Sequence, residues 1–163
     1  MIAIGIIISF ILEGVFTNLV SLNSALLPLF TVTALTILYP YFNNNQLKFM
    51  GISAITGLCY DIIYTDSIFV NTFSFVIISV AIIVIYNYIT MNIFNINGLN
   101  IVIIVLFKVV SYLLLCIVGY TRFISGTLIC GIYSSLIVNI IYGIVFYVVV
   151  DKIGKQLNIK KME

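Results

Sequence analysis

The chain has 163 residues, of which 63% are hydrophobic and only 7% are charged. Seven Lys and Arg residues and five Asp and Glu residues are too few to cover a soluble globule of 18.2 kDa. The seven cations also fall short of the basic cluster that binds nucleic acid. The composition therefore excludes a soluble enzyme and a nucleic-acid-binding protein, and it indicates an integral membrane protein.

Continuous apolar runs separated by short polar segments predict an all-α membrane protein, a bundle of six transmembrane helices. Each crossing requires about 20 predominantly apolar residues. The predicted spans are about 2–20, 26–42, 49–64, 68–89, 101–120 and 124–150. They form one domain over residues 1–150, followed by a short basic tail over 151–163. The Asn-rich segment 90–100 is expected to lie in the membrane interface.

The first two spans carry recognisable end signals. No Lys or Arg precedes the first apolar run and Glu13 interrupts it, so we expect a retained span rather than a cleaved signal peptide. Pro28 suits the first turn of the second helix. Tyr39-Pro40-Tyr41 is expected to end that helix as an aromatic rim.

The distribution of cations predicts the orientation. Lys48 and the four lysines of the tail make up five of the seven cations. Six spans place both termini and Lys48 on one side, which the positive-inside rule assigns to the cytoplasm. A five-span arrangement, in which residues 26–64 cross differently, remains an alternative.

Three charged residues, Glu13, Asp61 and Lys108, lie within predicted spans. A charge at the centre of a membrane helix costs at least ~2.5–3.5 kcal/mol, so these side chains should face protein or water. Each belongs to a polar face with helical spacing. The faces are Ser9, Glu13 and Thr17; Ser53, Gly57 and Asp61 with Tyr60 and Tyr64; Lys108, Ser111, Tyr112 and Gly119; and Ser135, Asn139 and Gly143. We expect all four to point into the bundle.

Depth along the helices permits an ion pair between Glu13 and Lys108. At 1.5 Å per residue, Glu13 lies about 10 Å and Lys108 about 16–18 Å below the outer helix ends, and the lysine stem can extend outward. Asp61 lies nearer the outer surface, where Tyr60, Tyr64 or the loop could bond it. The charges fit either a structural network or a transport pathway, and one cation, two acids and no His favour the structural interpretation.

No motif predicts catalysis, a cofactor or a metal. His is absent, which removes the commonest metal ligand and proton shuttle. Cys59, Cys116 and Cys130 lie in apolar stretches without C-x-x-C spacing, as expected of free thiols that act as small hydrophobic residues. Asp61 and Asp66 do not match the aspartate motifs of a membrane aspartyl peptidase.

Two stretches resemble a known family. Residues 11–20, ILEGVFTNLV, resemble the acidic first span of the rod shape-determining protein MreD. Residues 51–76, GISAITGLCYDIIYTDSIFVNTFSFV, resemble its most recognisable segment, which contains G-[LF]-x-Y-D, a short polar turn and a further apolar span. Gly57-Leu58-Cys59-Tyr60-Asp61 is the strongest part of this match. One departure is Ile68-Phe69, where many members have Leu-Gly after the turn.

The resemblance implies a non-enzymatic subunit of the bacterial cell-elongation machinery, located in the cell membrane as a multi-pass protein. Its implied partners are an MreC-like single-span protein, a SEDS glycosyltransferase with a class B penicillin-binding protein, and MreB-like filaments. Together they regulate peptidoglycan synthesis and cell shape. The implied fold is similar to the substrate-binding (S) subunits of energy-coupling-factor vitamin transporters. Candidate structural or partner-binding residues are Glu13, Thr17, Gly57, Tyr60, Asp61, Tyr64, Lys108 and Asn139.

Two other functions remain alternatives. A vitamin-transporter S subunit is also small and apolar, and Tyr60, Asp61, Tyr64 and Asn71 could contribute to a ligand pocket. Vitamin binding by the purified protein would favour that function. An ion or proton channel rests on Glu13, Asp61 and Lys108 alone.

Overall fold

The computed structural model of the protein describes residues 1–20, 28–42, 45–65, 69–88 and 93–156. Within these ranges every regular element is helical, which confirms the predicted all-α class. The helices are α1 (Ile2–Val20), α2 (Phe30–Leu38) with a 3-10 turn (Tyr39–Phe42), α3 (Gln46–Tyr64), α4 (Val70–Tyr86), α5 (Ile93–Val118) and α6 (Ser125–Gln156).

The helices differ in whether they are long enough to cross a membrane. Four of those described, α1, α3, α5 and α6, are long and apolar enough to cross a bilayer. The other two, residues 30–42 and α4, are apolar but shorter. The four long helices support insertion into a membrane, and the six crossings remain a prediction.

Burial follows the pattern of a membrane-embedded bundle. Large apolar side chains such as Ile62, Phe73 and Ile137 are exposed, as expected where lipid is the solvent. The predicted inward faces are confirmed for Ser9 and Glu13 on α1, for Ser53, Gly57 and Asp61 on α3, and for Ser135, Asn139 and Gly143 on α6. Thr17 and Gly119 are exposed, and Lys108, Ser111 and Tyr112 are half-buried.

Helix α2 lies at the centre of the molecule. Every residue from 30 to 42 is buried, and α2 packs against α1, α5 and α6. Thr31, Thr33 and Thr36 point in different directions around it, so α2 has no solvent or lipid face. The remaining helices pack in the sequence α3 on α4, α4 on α5 and α5 on α6.

Pro40 ends α2, and Tyr86 compensates for the lost hydrogen bond. Because proline has no backbone N–H, the carbonyl of Thr36 four residues earlier lacks its usual helical donor. The Tyr86 hydroxyl donates to this carbonyl at 3.0 Å. The segment predicted as an aromatic rim thus ends the helix, but Tyr39 and Tyr41 are buried within the bundle.

Three helices extend beyond their predicted spans, and the extension of α3, which begins at Gln46 rather than near residue 49, is the shortest. α5 begins at Ile93, and Ile96, Leu99 and Asn100 of the expected interfacial segment are buried. The asparagine-rich composition of residues 90–100 predicted an interfacial segment. The apolar residues within it recur at helical spacing, however, and they pack the first turns of α5 into the bundle. α6 continues through the first part of the predicted tail, where Lys155 pairs with Asp151 at 2.7 Å. Residues 157–163 of that tail lie outside the described ranges.

Candidate functional site

Asp61 holds the start of α4 from the neighbouring helix α3. Its Oδ1 accepts hydrogen bonds from the backbone N–H and the side-chain amide of Asn71, at 2.9 and 3.0 Å. Its Oδ2 accepts from the backbone N–H and the hydroxyl of Thr72, at 2.8 and 2.7 Å. The first N–H groups of a helix have no partner within the helix. A buried carboxylate that accepts them also faces the positive end of the helix dipole.

Asp61 acts as a cap because the residue at the cap position cannot. Phe69 occupies the N-cap of α4 and its side chain makes no capping hydrogen bond. Its φ is 65°, in the left-handed region that favours glycine. The resemblance implies glycine at this position in many members of the family, so Phe69 is a strained residue where glycine is favoured.

Replacing Phe69 by Gly is therefore expected to raise the free energy of unfolding by about 0.5–1 kcal/mol. Relief of a left-handed conformation that costs about 1–2 kcal/mol exceeds the extra chain entropy of glycine. Thermal unfolding of the purified protein in detergent would measure the change. Phe69→Ala is the control, because it removes the ring, which is 52% exposed, and keeps the strain. Equal destabilisation by Gly and Ala would contradict strain at this position.

Gly57 allows α3 and α4 to approach closely, one turn before Asp61. A Cβ at Gly57 would lie 2.8 Å from Thr72 Cα, 2.9 Å from the Asn71 carbonyl oxygen and 3.0 Å from Phe75 Cβ. Two of these atoms are backbone, which cannot move without shifting α4. Gly57 and Asp61 therefore serve the same contact: the glycine brings α4 near, and the carboxylate binds its first turn.

Replacing Gly57 by Ala is expected to lower the free energy of unfolding by about 1–3 kcal/mol, because the added methyl group forces the helices apart. Gly51→Ala, on the same helix, is the matched control. Nothing lies within 4 Å of a Cβ at Gly51, so alanine there should be neutral or stabilising by about 0.5–1 kcal/mol. Equal unfolding midpoints for the two variants would rule out close packing at Gly57.

Glu13 holds the start of the central helix α2 in the same manner. Its Oε2 accepts hydrogen bonds from the backbone N–H of Thr31 at 2.9 Å and from the Thr31 hydroxyl at 2.6 Å. Its Oε1 accepts from the Tyr60 hydroxyl at 2.8 Å. The side chain is only 2% exposed. Both intramembrane acids thus bind a threonine in the first turn of the following short helix, through its N–H and its hydroxyl together.

Tyr60 and Tyr64 connect α3 to α1. Besides the bond from Tyr60 to Glu13, the Tyr64 hydroxyl donates to the carbonyl of Phe10 at 2.8 Å. A side chain at Gly14 would collide with the Tyr64 ring, so glycine makes room for this contact. Thr17 does not join the cluster, because its hydroxyl donates to the backbone carbonyl of Glu13 and its side chain is exposed.

Asn139 of α6 completes the start of α2. Its Oδ1 accepts a hydrogen bond from the backbone N–H of Leu29 at 2.9 Å, and its amide donates to the Ser135 carbonyl at 2.5 Å. The side chain is fully buried. The first turn of α2 is therefore bonded to α1 by Glu13 and to α6 by Asn139.

Lys108 lies apart from these bonds. Among the described residues, no hydrogen bond or ion pair within 4.0 Å reaches its ammonium, and Glu13 acts on it only through longer-range electrostatics. The sequence-based possibility of a Glu13–Lys108 ion pair is therefore not realised. Asp61 bonds Asn71 and Thr72 at the start of α4 and, at 3.4 Å, the hydroxyl of Thr65 where α3 ends, so of the predicted partners the tyrosines do not bond it and the loop does in part.

The residues that the two acids bind could not be recognised from the sequence pattern. Thr31 and Thr72 were not candidates, and Asn71 was considered only for a transporter pocket. One sequence signal could have indicated them. Both α2 and α4 are short apolar helices that have a threonine, and no acidic residue, in the first turn. In the described part of the chain, His, Cys, Asp and Glu form no group of three able to hold a metal.

The arrangement defines a class of protein: a helical membrane protein whose interior acids bind the starts of two short helices. The family model of the rod shape-determining protein MreD matches residues 1–156, and the chain belongs to this family. The resemblance based on the two sequence stretches is thus confirmed. No curated protein and no solved structure matches the chain.

Proposed function

We propose that the protein is a non-enzymatic scaffold subunit of the bacterial cell-elongation complex. In this role it binds an MreC-like single-span protein. Through that partner it helps regulate peptidoglycan synthesis by a SEDS glycosyltransferase and a class B penicillin-binding protein, in register with MreB-like filaments. Membership of the MreD family supports a role in the rod-shape complex. This family is a shape-determining one and is not a known enzyme family.

One observation favours a scaffold over a pathway for ions or protons. Glu13 and Asp61 are the side chains with which an intramembrane pathway would work. Both carboxylates already accept hydrogen bonds from the first turns of α2 and α4. Their role is thus to fix helix positions, which a binding platform for a partner helix requires.

Co-purification tests this proposal. The tagged protein is expressed with its MreC-like partner, solubilised in mild detergent and purified, and we expect the partner to remain bound. A single-span protein of unrelated sequence, expressed at the same level, is the control. Loss of the partner from a chain that still unfolds cooperatively would contradict the scaffold role.

We further propose six membrane crossings with both termini in the cytoplasm, and a fold similar to transporter S subunits. The helix order and the cluster of cations at Lys48 and in the tail support this orientation. Single cysteines at Lys48 and at Arg122, in a background lacking the three native cysteines, would test it. We expect a membrane-impermeant thiol reagent to label whole cells at position 122 alone. The family match gives no support to a vitamin-transport function.

A further inference from the structure

A cavity lies between α5 and the first two turns of α6. Its volume is about 250 Å³, and it reaches inward to the starts of α2 and α4. Polar side chains line it together with apolar ones, and they include Tyr60, Asn71, Ser111, Tyr112 and Thr127. A concave site with a few convergent polar groups on an apolar wall is typical of small-molecule binding.

Lys108 is the only charged side chain in this lining, as far as the described residues extend. The other polar groups are already bonded within the protein: the Tyr60 hydroxyl donates to Glu13 and the Ser111 hydroxyl to Ser74. Both acids lie behind lining residues, Glu13 behind Tyr60 and Asp61 behind Asn71. Lys108 is therefore the charged lining residue that no hydrogen bond or ion pair joins to another residue in the described part of the chain.

The connection between α5 and α6 is fixed over the same region. The Tyr112 hydroxyl accepts a hydrogen bond from the Ile124 N–H at 2.8 Å and lies 3.0 Å from the Thr127 hydroxyl. These contacts hold the first turn of α6 against α5, so the cavity wall is preformed. A preformed site loses less conformational entropy when a ligand binds.

We propose that this cavity binds an anionic group, a phosphate or carboxylate, with Lys108 as its partner. A nearby opposite charge stabilises an ammonium in a low-dielectric interior far more than it stabilises one exposed to water. Leu29 and Asn71, at the starts of α2 and α4, line the same cavity, but their N–H groups are already bonded to Asn139 and Asp61, so Lys108 is the lining group that would bind the anion. The anionic group belongs either to a small soluble molecule or to a lipid headgroup entering between the helices.

Ligand-induced thermal stabilisation tests the site and distinguishes the two sources. The soluble arm adds inorganic phosphate or acetate to the protein in neutral detergent. The lipid arm compares micelles of neutral detergent alone with mixed micelles of the same detergent that also contain phosphatidylglycerol. At a hundredfold excess over Kd, we expect the unfolding midpoint to rise by about 5–10 °C in at least one arm.

Two substitutions should reduce the thermal response by half or more without unfolding the protein. Lys108→Met removes the charge and should leave the unliganded protein at least as stable, because it removes a half-buried ammonium that no ion pair with a described residue compensates. Gly131→Leu fills the cavity, and nothing lies within 4 Å of its Cβ. The matched controls are Lys48→Met, which removes a lysine elsewhere, and Gly126→Leu, at a glycine with equally open space outside the lining.

The proposal predicts at least tenfold weaker binding in Lys108→Met and Gly131→Leu, with both controls like the wild type. A response in the soluble arm identifies a soluble ligand, and a response confined to phosphatidylglycerol identifies a lipid. An equal response of the wild type and Lys108→Met would overturn the site. No response of the wild type in either arm would overturn it as well.

Discussion

Replacing Asp61 by Ala is expected to lower the free energy of unfolding by about 3–5 kcal/mol, because several donors lose their acceptor at once. The carboxylate accepts four hydrogen bonds of 2.7–3.0 Å from Asn71 and Thr72. Its removal leaves buried N–H groups at the start of α4 without an acceptor, each at a cost of about 1–3 kcal/mol. The loss can be measured by equilibrium unfolding in mixed micelles.

Two companion variants make the Asp61 result specific. Asp61→Asn retains one acceptor oxygen but turns an amide toward N–H donors. We therefore expect its free energy of unfolding to lie between those of the wild type and Asp61→Ala. Asp151→Ala is the control, since it removes an i,i+4 pair with the exposed Lys155 and should cost at most about 1 kcal/mol. Equal losses for Asp61→Ala and Asp151→Ala would refute the cap.

Replacing Glu13 by Leu is expected to lower the free energy of unfolding by a similar amount, about 3–5 kcal/mol, because three donors lose their acceptor. Leucine keeps most of the volume, so the loss reports the hydrogen bonds from Thr31 and Tyr60 rather than a cavity. Glu13→Gln should lower the free energy of unfolding less than Glu13→Leu does, because its amide oxygen can still accept a hydrogen bond from Thr31. The same unfolding measurement applies.

Double-mutant cycles separate a cap from an ion pair at Glu13. We expect Glu13→Leu to couple with Thr31→Val and with Tyr60→Phe by about 0.5–3 kcal/mol each, the range for residues in contact. Coupling with Lys108→Met should be smaller than either, since no ion pair within 4.0 Å joins these residues. The largest coupling at Lys108 would instead favour the ion pair.

The sequence predicted the helices and most of their inward faces, because both depend on local pattern. Serine, glycine and acid at four-residue spacing marked the buried sides of α1 and α3. Gly57 and Asp61 were recognised as a motif, and the structure adds the physical reason: one permits the contact with α4 that the other bonds. This explanation depends on which helix lies next to α3, and the spacing of residues within α3 does not reveal its neighbour.

The partners of the acids could not be predicted, because they depend on how distant segments pack. Glu13 and Lys108 were matched by depth alone, but depth does not fix which helices are adjacent. Because α2 is enclosed by the other helices, the N–H of Thr31 lies beside Glu13, and the span 26–42 gave little indication that this helix lies at the centre. The three threonines of α2, spread around the helix, were the only sign of burial on all sides.

Amide hydrogen exchange at the first turns of α2 and α4 tests most directly whether the interior acids serve as helix caps. We expect Asp61→Ala to accelerate exchange in the first turn of α4 and to leave the first turn of α2 protected. Glu13→Leu should have the reverse effect, because each acid accepts the N–H groups of one helix only. Unchanged exchange at both turns, in variants that remain folded, would contradict the account.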